Sequence, residues 1–366
     1  MPGLLGLPLA DLARLIRDVA PEPYRAAQIQ RWLWEKRAAS FAEMTDLPKA
    51  VREALATSFE IGLPRIVSRS EAVDGAEKFL FELSDGARIE AVFMVDSKQR
   101  PAAEAAESAP GTRITICVSS QAGCAVDCAF CVTGRMGPGR NLTAGEIVGQ
   151  YLAIAREKRF GPREANVVFM GMGEPLLNVP NVSVALDLLS REVSPRRTTL
   201  STAGVVPGIE ALSVRPHRPN LAVSLSAADD ATRSRLMPIN RTWPLAALFA
   251  SLKKWPLEKG RRITFEHVLI AGVNDSVETA RRLAALVRQL PSKVNLIPLN
   301  ESLKWLPDLR SPSPSAVDAF GRDVSKAGVD VTVRWSKGLQ ADAACGQLKG
   351  RDEPRKRLTG DGERSR

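Results

Sequence analysis

The sequence predicts an α/β fold: a partial TIM-like (β/α)6 barrel that follows a small helical domain. Two observations lead to this prediction. From residue 113 onward, short β-branched runs alternate with longer segments of helical periodicity, which is typical of parallel strands joined by helices. The first 63 residues show helical patterns, and the segment that follows them is mostly extended.

Residues 1–63 are expected to form a helical accessory domain with a basic side. The stretch PYRAAQIQRWLWEKR places Tyr24, Ile29, Trp32 and Leu33 near helical spacing, with basic residues between them. A helical cap whose charges are simply solvated explains this pattern as well as a binding surface does.

Residues 64–112 are predicted to form β-hairpins followed by a surface insertion. Asp74-Gly75 and Asp85-Gly86 are turn signals between runs of alternating polar and apolar residues. The stretch 97–112 is rich in Ala, Glu and Pro and has no apolar stripe, so we expect a mobile insertion there.

Residues 113–349 are assigned to the barrel. Its predicted strands are RITICVS, NVVFMGM, RTTLST, NLAVSLS, RITFEHVLI, KVNLIPLN and VDVTVRW. Thr143 and Glu146 form a capping box that opens one of the intervening helices. In such barrels the chemistry lies on loops after the C-terminal ends of the strands. The polar tail, residues 350–366, is expected to be disordered.

The charge balance favours a polyanionic partner. The net charge is +10 and the pI is about 9.6, which favours nucleic acid through counterion release and steering. Charge alone does not separate this from an ordinary basic protein. No apolar run reaches the roughly 18 residues of a membrane span. The N-terminus lacks the basic region and cleavage site of a signal peptide, so we expect a cytoplasmic protein with no membrane contact.

Clustered cysteines indicate metal binding or catalysis rather than a disulfide framework. Cys124, Cys128 and Cys131 have the spacing C-x3-C-x2-C. Three thiolates on one short loop can hold three irons of a 4Fe–4S cluster and leave the fourth iron open to a small molecule. Structural zinc usually takes four ligands in paired spacing; Cys117 and Asp127 are the nearest candidates for a fourth, and this alternative is disfavoured.

A glycine-rich motif, residues 171–175 (GMGEP), follows the next predicted strand. Its glycines let the backbone approach a ligand, and its carboxylate can accept hydrogen bonds from an ammonium group. This motif and the three-cysteine loop, with Phe130 before its last cysteine, resemble the radical S-adenosylmethionine (SAM) superfamily. The resemblance implies that the loop holds a 4Fe–4S cluster and that SAM binds its open iron.

The two remaining cysteines, Cys117 and Cys345, would by themselves be taken as buried core residues. The whole motif series changes that interpretation: CVSSQAGCAVDCAFC, NLTAGEI, FMGMGEPL, LSTAGVVP, LMPINR, GVNDS, NLIPLN and ADAACGQL. This series resembles the bacterial RlmN family, dual-specificity adenine-C2 methyltransferases of 23S rRNA and tRNA. The likeness runs from about residue 20 to 350 and implies that the N-terminal domain contacts RNA.

The resemblance implies a mechanism that uses all five cysteines. A first SAM methylates Cys345, and a second SAM is reductively cleaved at the cluster to a 5′-deoxyadenosyl radical, which takes hydrogen from the S-methyl group. The methylene radical adds to the electron-poor C2 of adenine, and Glu90 removes the C2 proton. Cys117 then attacks Cys345, releasing methylated RNA and a transient disulfide.

The same matching implies the partners and the cofactor contacts. The substrates would be an adenosine at the peptidyl transferase centre of 23S rRNA and the adenosine 3′ of the tRNA anticodon, with a flavodoxin-type electron donor. A monomer is the default expectation. The residues expected to contact SAM are Gly173, Glu174, Ser201, Ser224, Leu225, Ser226 and Asn300.

Three features depart from the family pattern. Ser226 stands where relatives often carry His or Asn, and its hydroxyl has a shorter reach. Trp335 stands where relatives usually carry a basic or polar residue, and it could either stack on a nucleobase or pack against the protein. The stretch 97–112 is longer than usual and could alter RNA access or be inert.

Three other functions were weighed against this one. The C8-methylating relative that confers antibiotic resistance shares the cluster and both functional cysteines, but tends to have Ala where Pro175 follows Glu174 here. An RNA-binding protein with a structural cluster would not need Cys117, Cys345 and a SAM motif together. A radical enzyme acting on a small metabolite is disfavoured by the basic charge and the N-terminal domain.

Overall fold

One continuous ten-stranded sheet organises the molecule, for which the computed structural model describes residues 1–96, 113–302 and 304–349. The strands lie side by side in the order in which they occur along the chain. They are β1 (Arg65–Glu71), β2 (Glu77–Glu82), β3 (Arg88–Asp96), β4 (Arg113–Cys117), β5 (Ala165–Phe169), β6 (Thr198–Thr202), β7 (Asn220–Ser224), β8 (Ile263–Leu269), β9 (Ser292–Pro298) and β10 (Val331–Val333).

The second part of this sheet confirms the partial barrel. Strands β4 to β10 are all parallel, and each of their six connections carries at least one helix. Within the described residues β1 and β10 are the sheet's two edges, so the barrel is open. The barrel helices are α4 (Val132–Arg135), α5 (Ala144–Lys158), α6 (Val179–Leu189), α7 (Val206–Ser213), α8 (Asp230–Leu236), α9 (Leu245–Lys254), α10 (Val277–Val287) and α11 (Pro314–Lys326).

The predicted hairpins are present, and the structure adds where they lie. β1 to β4 pair antiparallel, so the hairpin strands extend the same sheet as the barrel. Gly75 and Gly86 have φ of +77° and +79°, which the turns after Asp74 and Asp85 require. Each aspartate accepts a hydrogen bond from the backbone N–H two residues on, at 3.0 Å. The predicted insertion 97–112 and the predicted tail lie outside the described residues.

The N-terminal segment forms three helices: α1 (Leu9–Leu15), α2 (Arg25–Trp34) and α3 (Lys49–Ser58). Each helix contributes a completely buried side chain: Leu12 from α1, Ile29 from α2 and Leu55 from α3. This segment docks on the start of α5, where an added Cβ on Gly145 would lie 2.2 Å from the Leu5 carbonyl oxygen, so only glycine fits. The predicted capping box opens α5. In the described part of the chain, no helix is long and apolar enough to cross a bilayer.

The buried imidazole of His267 on β8 gives stability a predictable pH dependence. It stacks on Phe320 with ring centroids 5.5 Å apart, and burial lowers its pKa to about 4. Between that value and the ordinary ~6.5 the unfolded chain binds a proton that the folded chain does not, so lowering the pH destabilises the fold. The cost is about 2 kcal/mol at pH 5 and near zero at pH 8.

We therefore expect His267→Phe to remove the contribution of His267 to the loss of unfolding free energy at low pH. Anaerobic urea unfolding of the holoenzyme at pH 5 and pH 8 measures the difference in unfolding free energy. The exposed His217 offers the control, because His217→Asn should keep the wild-type pH dependence. Equal pH dependence in wild type and His267→Phe would contradict the assignment.

Candidate active site

A cavity of about 160 Å³ lies at the C-terminal ends of the parallel strands, where the barrel was predicted to carry its chemistry. We call it the barrel cavity. Nine of the residues that the sequence singled out line it: Cys124, Cys128, Cys131, Gly173, Glu174, Ser201, Ser224, Asn300 and Cys345. The fold thus collects side chains from the loop after β4, from four further strand ends and from the segment after β10.

The three-cysteine loop is fixed by its backbone. The Cys124 N–H donates to the Gly137 carbonyl oxygen (3.1 Å), and the Ala129 N–H donates to the Leu236 carbonyl oxygen (2.8 Å). Within the described residues no three His, Cys, Asp or Glu side chains converge to hold a single metal ion. All three thiols nevertheless line the barrel cavity, and the charges of Cys124 and Cys131 act on the Cys128 thiol, so the three side chains lie near one another.

These thiols suit an iron–sulfur cluster by their chemistry. Thiolates are the soft donors that such clusters take. Burial raises the pKa of Cys124 to about 12 and that of Cys128 well above its ordinary value. Because free thiols in this environment stay protonated, iron binding has to displace their protons.

The glycine motif brings Glu174 into the cavity wall. Gly173 has φ +96°, and an added Cβ there would lie 2.5 Å from Gln121 Cβ, so the motif closes tightly on the loop after β4. The Glu174 carboxylate accepts from the Ala203 N–H (2.6 Å) at Oε2 and from the Thr202 hydroxyl (2.8 Å) at Oε1. It therefore ties the loop after β5 to the loop after β6. Burial raises its pKa.

Arg233 is a buried cation that the sequence analysis did not identify. Its guanidinium donates to the carbonyl oxygens of Ala203 (2.7 Å), Ser224 (3.2 Å) and Leu225 (3.2 Å), and so fixes the loops after β6 and β7. Burial lowers its pKa to about 10. Its helix also contains Arg235, and nothing in the sequence marks Arg233 rather than Arg235 as the buried one.

Leu225 and Ser226 are not among the described residues that line the barrel cavity. Both are completely buried. Ser226 has φ +52°, its carbonyl oxygen accepts from Asn274 Nδ2 (2.7 Å), and its hydroxyl has no hydrogen-bond partner within the described residues. Their contact with SAM stays a prediction.

Backbone hydrogen bonds hold the loop that carries Cys345 at the barrel cavity. The Cys345 carbonyl oxygen accepts from Asn300 Nδ2 (2.8 Å). Val132, which directly follows the last cysteine of the three-cysteine loop, donates its N–H to the Gly346 carbonyl oxygen (2.7 Å). Cys345 is thus held next to that loop by contacts that do not involve its own side chain.

A second cavity, of about 230 Å³, brings Cys345 together with Cys117. We call it the thiol cavity; Met170, Arg334 and Trp335 also line it. Cys345 is therefore in the wall of both cavities. Burial raises the pKa of Cys117 to about 12; the Cys345 thiol adds to this increase, and the Arg334 guanidinium opposes it.

Glu90 lies on β3 and is not among the described residues that line either cavity, although Val92 of the same strand lines the thiol cavity. Val92 pairs with Cys117 across β3 and β4, which puts Glu90, two residues away, on the same face of the sheet as Cys117. Lys78 Nζ lies 3.1 Å from one carboxylate oxygen, and the Lys349 N–H donates to the other (2.6 Å). Burial raises the pKa of Glu90, and Lys78 opposes that increase.

Glu266 and Arg334 form a second charged pair that the sequence analysis did not identify. Arg334 Nη1 lies 3.7 Å from Glu266 Oε1, and the Ser201 hydroxyl donates to Glu266 Oε2 (3.3 Å). Glu266 lines the barrel cavity and Arg334 lines the thiol cavity. The sequence signal that could have identified Glu266 is its position as a lone carboxylate in the apolar run ITFEHVL.

Comparisons with known proteins identify the family. Residues 3–61 match the family described as "Ribosomal RNA large subunit methyltransferase N-terminal domain", and residues 118–284 match the "Radical SAM superfamily". The "Dual-specificity RNA methyltransferase RlmN" of Anaeromyxobacter sp. (strain Fw109-5) is 45% identical, over 96% of this chain and 92% of the relative. The RlmN of Geobacter sulfurreducens is 43% identical, over 96% and 93%.

A solved structure shows the same architecture. It is a crystal structure of a radical SAM methyltransferase from Sphaerobacter thermophilus, with a TM-score of 0.87 and 41% identity over 96% of this chain and 100% of that one. Likeness of this extent includes the N-terminal helices, the barrel and the segment that carries Cys345. The chain therefore belongs to the RlmN family, and it is a SAM-dependent radical methyltransferase.

Proposed function

We propose that this enzyme methylates C2 of an adenosine at the peptidyl transferase centre of 23S rRNA and of the adenosine 3′ of the tRNA anticodon. The observation that carries the proposal is the position of Cys345, in the wall between the barrel cavity and the thiol cavity. A methyl carrier needs access both to the group that activates the methyl and to the thiol that resolves the product. The dual-specificity RNA methyltransferases named above supply the substrate class.

In this proposal Cys124, Cys128 and Cys131 hold the 4Fe–4S cluster that radical SAM enzymes use, with SAM on the open iron. When bound, the cluster and SAM supply a radical that takes hydrogen from a methyl group. SAM is held by Gly173, Glu174, Ser201, Ser224, Leu225, Ser226 and Asn300. The polar side chains and the exposed glycine backbone of the cavity wall support this set, five members of which line the cavity.

Cys345 carries the methyl group, and Glu90 accepts the C2 proton. The fixed backbone of the Cys345 loop supports the carrier role, because it keeps this cysteine at the wall that the two cavities share. Burial raises the pKa of Glu90, and a carboxylate with a raised pKa is a stronger general base. Lys78 and the Lys349 N–H hold the carboxylate in one orientation.

Cys117 resolves the adduct. Its thiolate attacks the Cys345 sulfur, a disulfide forms, and the bond from Cys345 to the transferred carbon breaks. That carbon leaves with the electron pair of the broken bond and takes up a proton to become the methyl group. The attacking form is the thiolate. Burial opposes that form by raising the Cys117 pKa to about 12, and the nearby Arg334 guanidinium favours it. We further propose a flavodoxin-type electron donor, a monomeric enzyme and a cytoplasmic location. The net charge of +10 supports an RNA substrate.

Anaerobic reconstitution with SAM, a reductant and either a 23S rRNA fragment or tRNA tests the function. Mass spectrometry of the digested RNA should show 2-methyladenosine from both substrates. The second candidate is the C8-methylating enzyme, which shares the cysteines; Pro175 after Glu174 disfavours it. If 8-methyladenosine were the sole product, the C2 assignment would be wrong. If SAM were cleaved and neither RNA modified, the substrate class would be wrong.

A further inference from the structure

An exposed aromatic side chain stands at the thiol cavity. Trp335 lines the cavity together with Cys117 and Cys345, yet 53% of its surface is open to solvent. Single exposed apolar side chains are common on protein surfaces, so the exposure of Trp335 is informative only because the same side chain lines the cavity that holds the two cysteines. None of the steps assigned above uses this residue.

The backbone on both sides of Trp335 is fixed. The Arg334 N–H donates to the Leu296 carbonyl oxygen (2.8 Å). On the other side, Lys337 Nζ donates to the Val95 carbonyl oxygen (2.9 Å), and the Gly338 N–H donates to Asp74 Oδ2 (2.7 Å). The indole is therefore an exposed side chain on a rigid support, which is the arrangement that a pre-formed binding surface requires.

The reaction needs such a surface close to Cys345. The reactive carbon lies on a nucleobase, and an enzyme that does chemistry on a base takes it out of the stack and holds it between aromatic or apolar side chains. Arg334 and Lys337, on either side of Trp335, supply positive charge next to that position. The thiol cavity thus combines the two thiols of Cys117 and Cys345, an aromatic face and cationic neighbours.

We propose that Trp335 is the platform on which the target adenine stacks, so that its C2 faces Cys345. This proposal rests on the proposed RNA-methylating function and assigns the residue that positions its substrate. Trp335 takes no part in radical formation or in thiol exchange. It acts by binding the base.

The test compares Trp335→Leu with Trp335→Phe in the reconstituted holoenzyme, using labelled RNA and measuring Kd, KM and kcat. Stacking on an aromatic residue has an effect of roughly tenfold or more in affinity. We expect Leu to raise Kd and KM for RNA by about that factor and Phe to restore most of the loss. Methylation of Cys345 by SAM without RNA should be unchanged in both variants.

An RNA with an abasic site at the target position separates stacking from other contacts. Wild type and Trp335→Leu should bind this RNA equally, because the base that Trp335 holds is missing. Leu339→Ala is the matched control: Leu339 lies in the same segment, is 49% exposed and is not in the described wall of the cavity. It should behave as wild type with both RNAs.

Two outcomes would overturn the proposal. One is a loss of affinity in Trp335→Leu that persists with the abasic RNA, because the indole would then contact another part of the substrate. The other is equal behaviour of the Leu and Phe variants, which would leave the indole a packing role only. A failure of the proposed function differs from both, since the wild-type enzyme itself would then fail to methylate RNA.

Discussion

Replacing Cys345 with alanine should abolish methyl transfer to RNA and leave the visible absorption of the cluster intact. The loop is held through the Cys345 carbonyl oxygen and the Gly346 carbonyl oxygen, so removal of the thiol leaves the barrel cavity in place. Methyl transfer is lost because no other side chain of the loop presents sulfur to both cavities. The measurement is RNA methylation beside absorption spectra of the reconstituted enzyme.

Cys128→Ala provides the contrast. It removes a proposed cluster ligand, so we expect both the absorption and SAM cleavage to disappear, whereas Cys345→Ala retains the absorption. Iron and sulfide analysis distinguishes the two variants without relying on turnover. Undiminished methylation by Cys345→Ala would refute the carrier mechanism.

Cys117→Ala should stop the reaction one stage later. Methyl transfer to Cys345 and addition to the base do not need Cys117, but breakdown of the adduct does. Among the described residues, Cys117 and Cys345 are the cysteines that line the thiol cavity, and the three cysteines of the barrel cavity are the proposed cluster ligands, so no free thiol is expected to substitute. We expect RNA to remain covalently attached to the protein, detected as labelled RNA that migrates with the enzyme in a denaturing gel.

The double variant Cys117→Ala with Cys345→Ala is the control, because without the carrier no adduct can form. Peptide mass spectrometry should locate the attached nucleotide on Cys345. Normal turnover by Cys117→Ala, or attachment to a residue other than Cys345, would contradict the assigned order of events.

The fold was predictable because its signals are local. Asp-Gly turns and a capping box act over three or four residues, and the hairpins and α5 appear where these signals place them. The alternation of short apolar runs with helical segments fixes a parallel sheet, and parallel strand ends meet on one side. For that reason Cys124, Glu174 and Ser201, far apart in sequence, line one cavity.

The remaining parts of the site depend on contacts between distant segments. Arg233 and Arg334 resemble solvated charges in sequence, and only the assembled loops bury the first and place the second beside two thiols. Likewise, no local pattern shows that the Gly338 N–H bonds to Asp74, which anchors the C-terminal segment on the first hairpin. The strands added to the barrel edge therefore help to position Cys345.

The shared wall at Cys345 has a kinetic consequence. A cysteine side chain has one torsion between its backbone and its sulfur, with three staggered rotamers. Asn300 and Val132 hold the loop backbone through hydrogen bonds. We therefore expect the Cys345 sulfur to move between the barrel cavity and the thiol cavity by a change of χ1 alone. Rotamer changes of exposed side chains take picoseconds to nanoseconds. In the proposed mechanism, relocating the methyl carbon is therefore not expected to limit turnover, in contrast to carriers that swing a whole arm between sites.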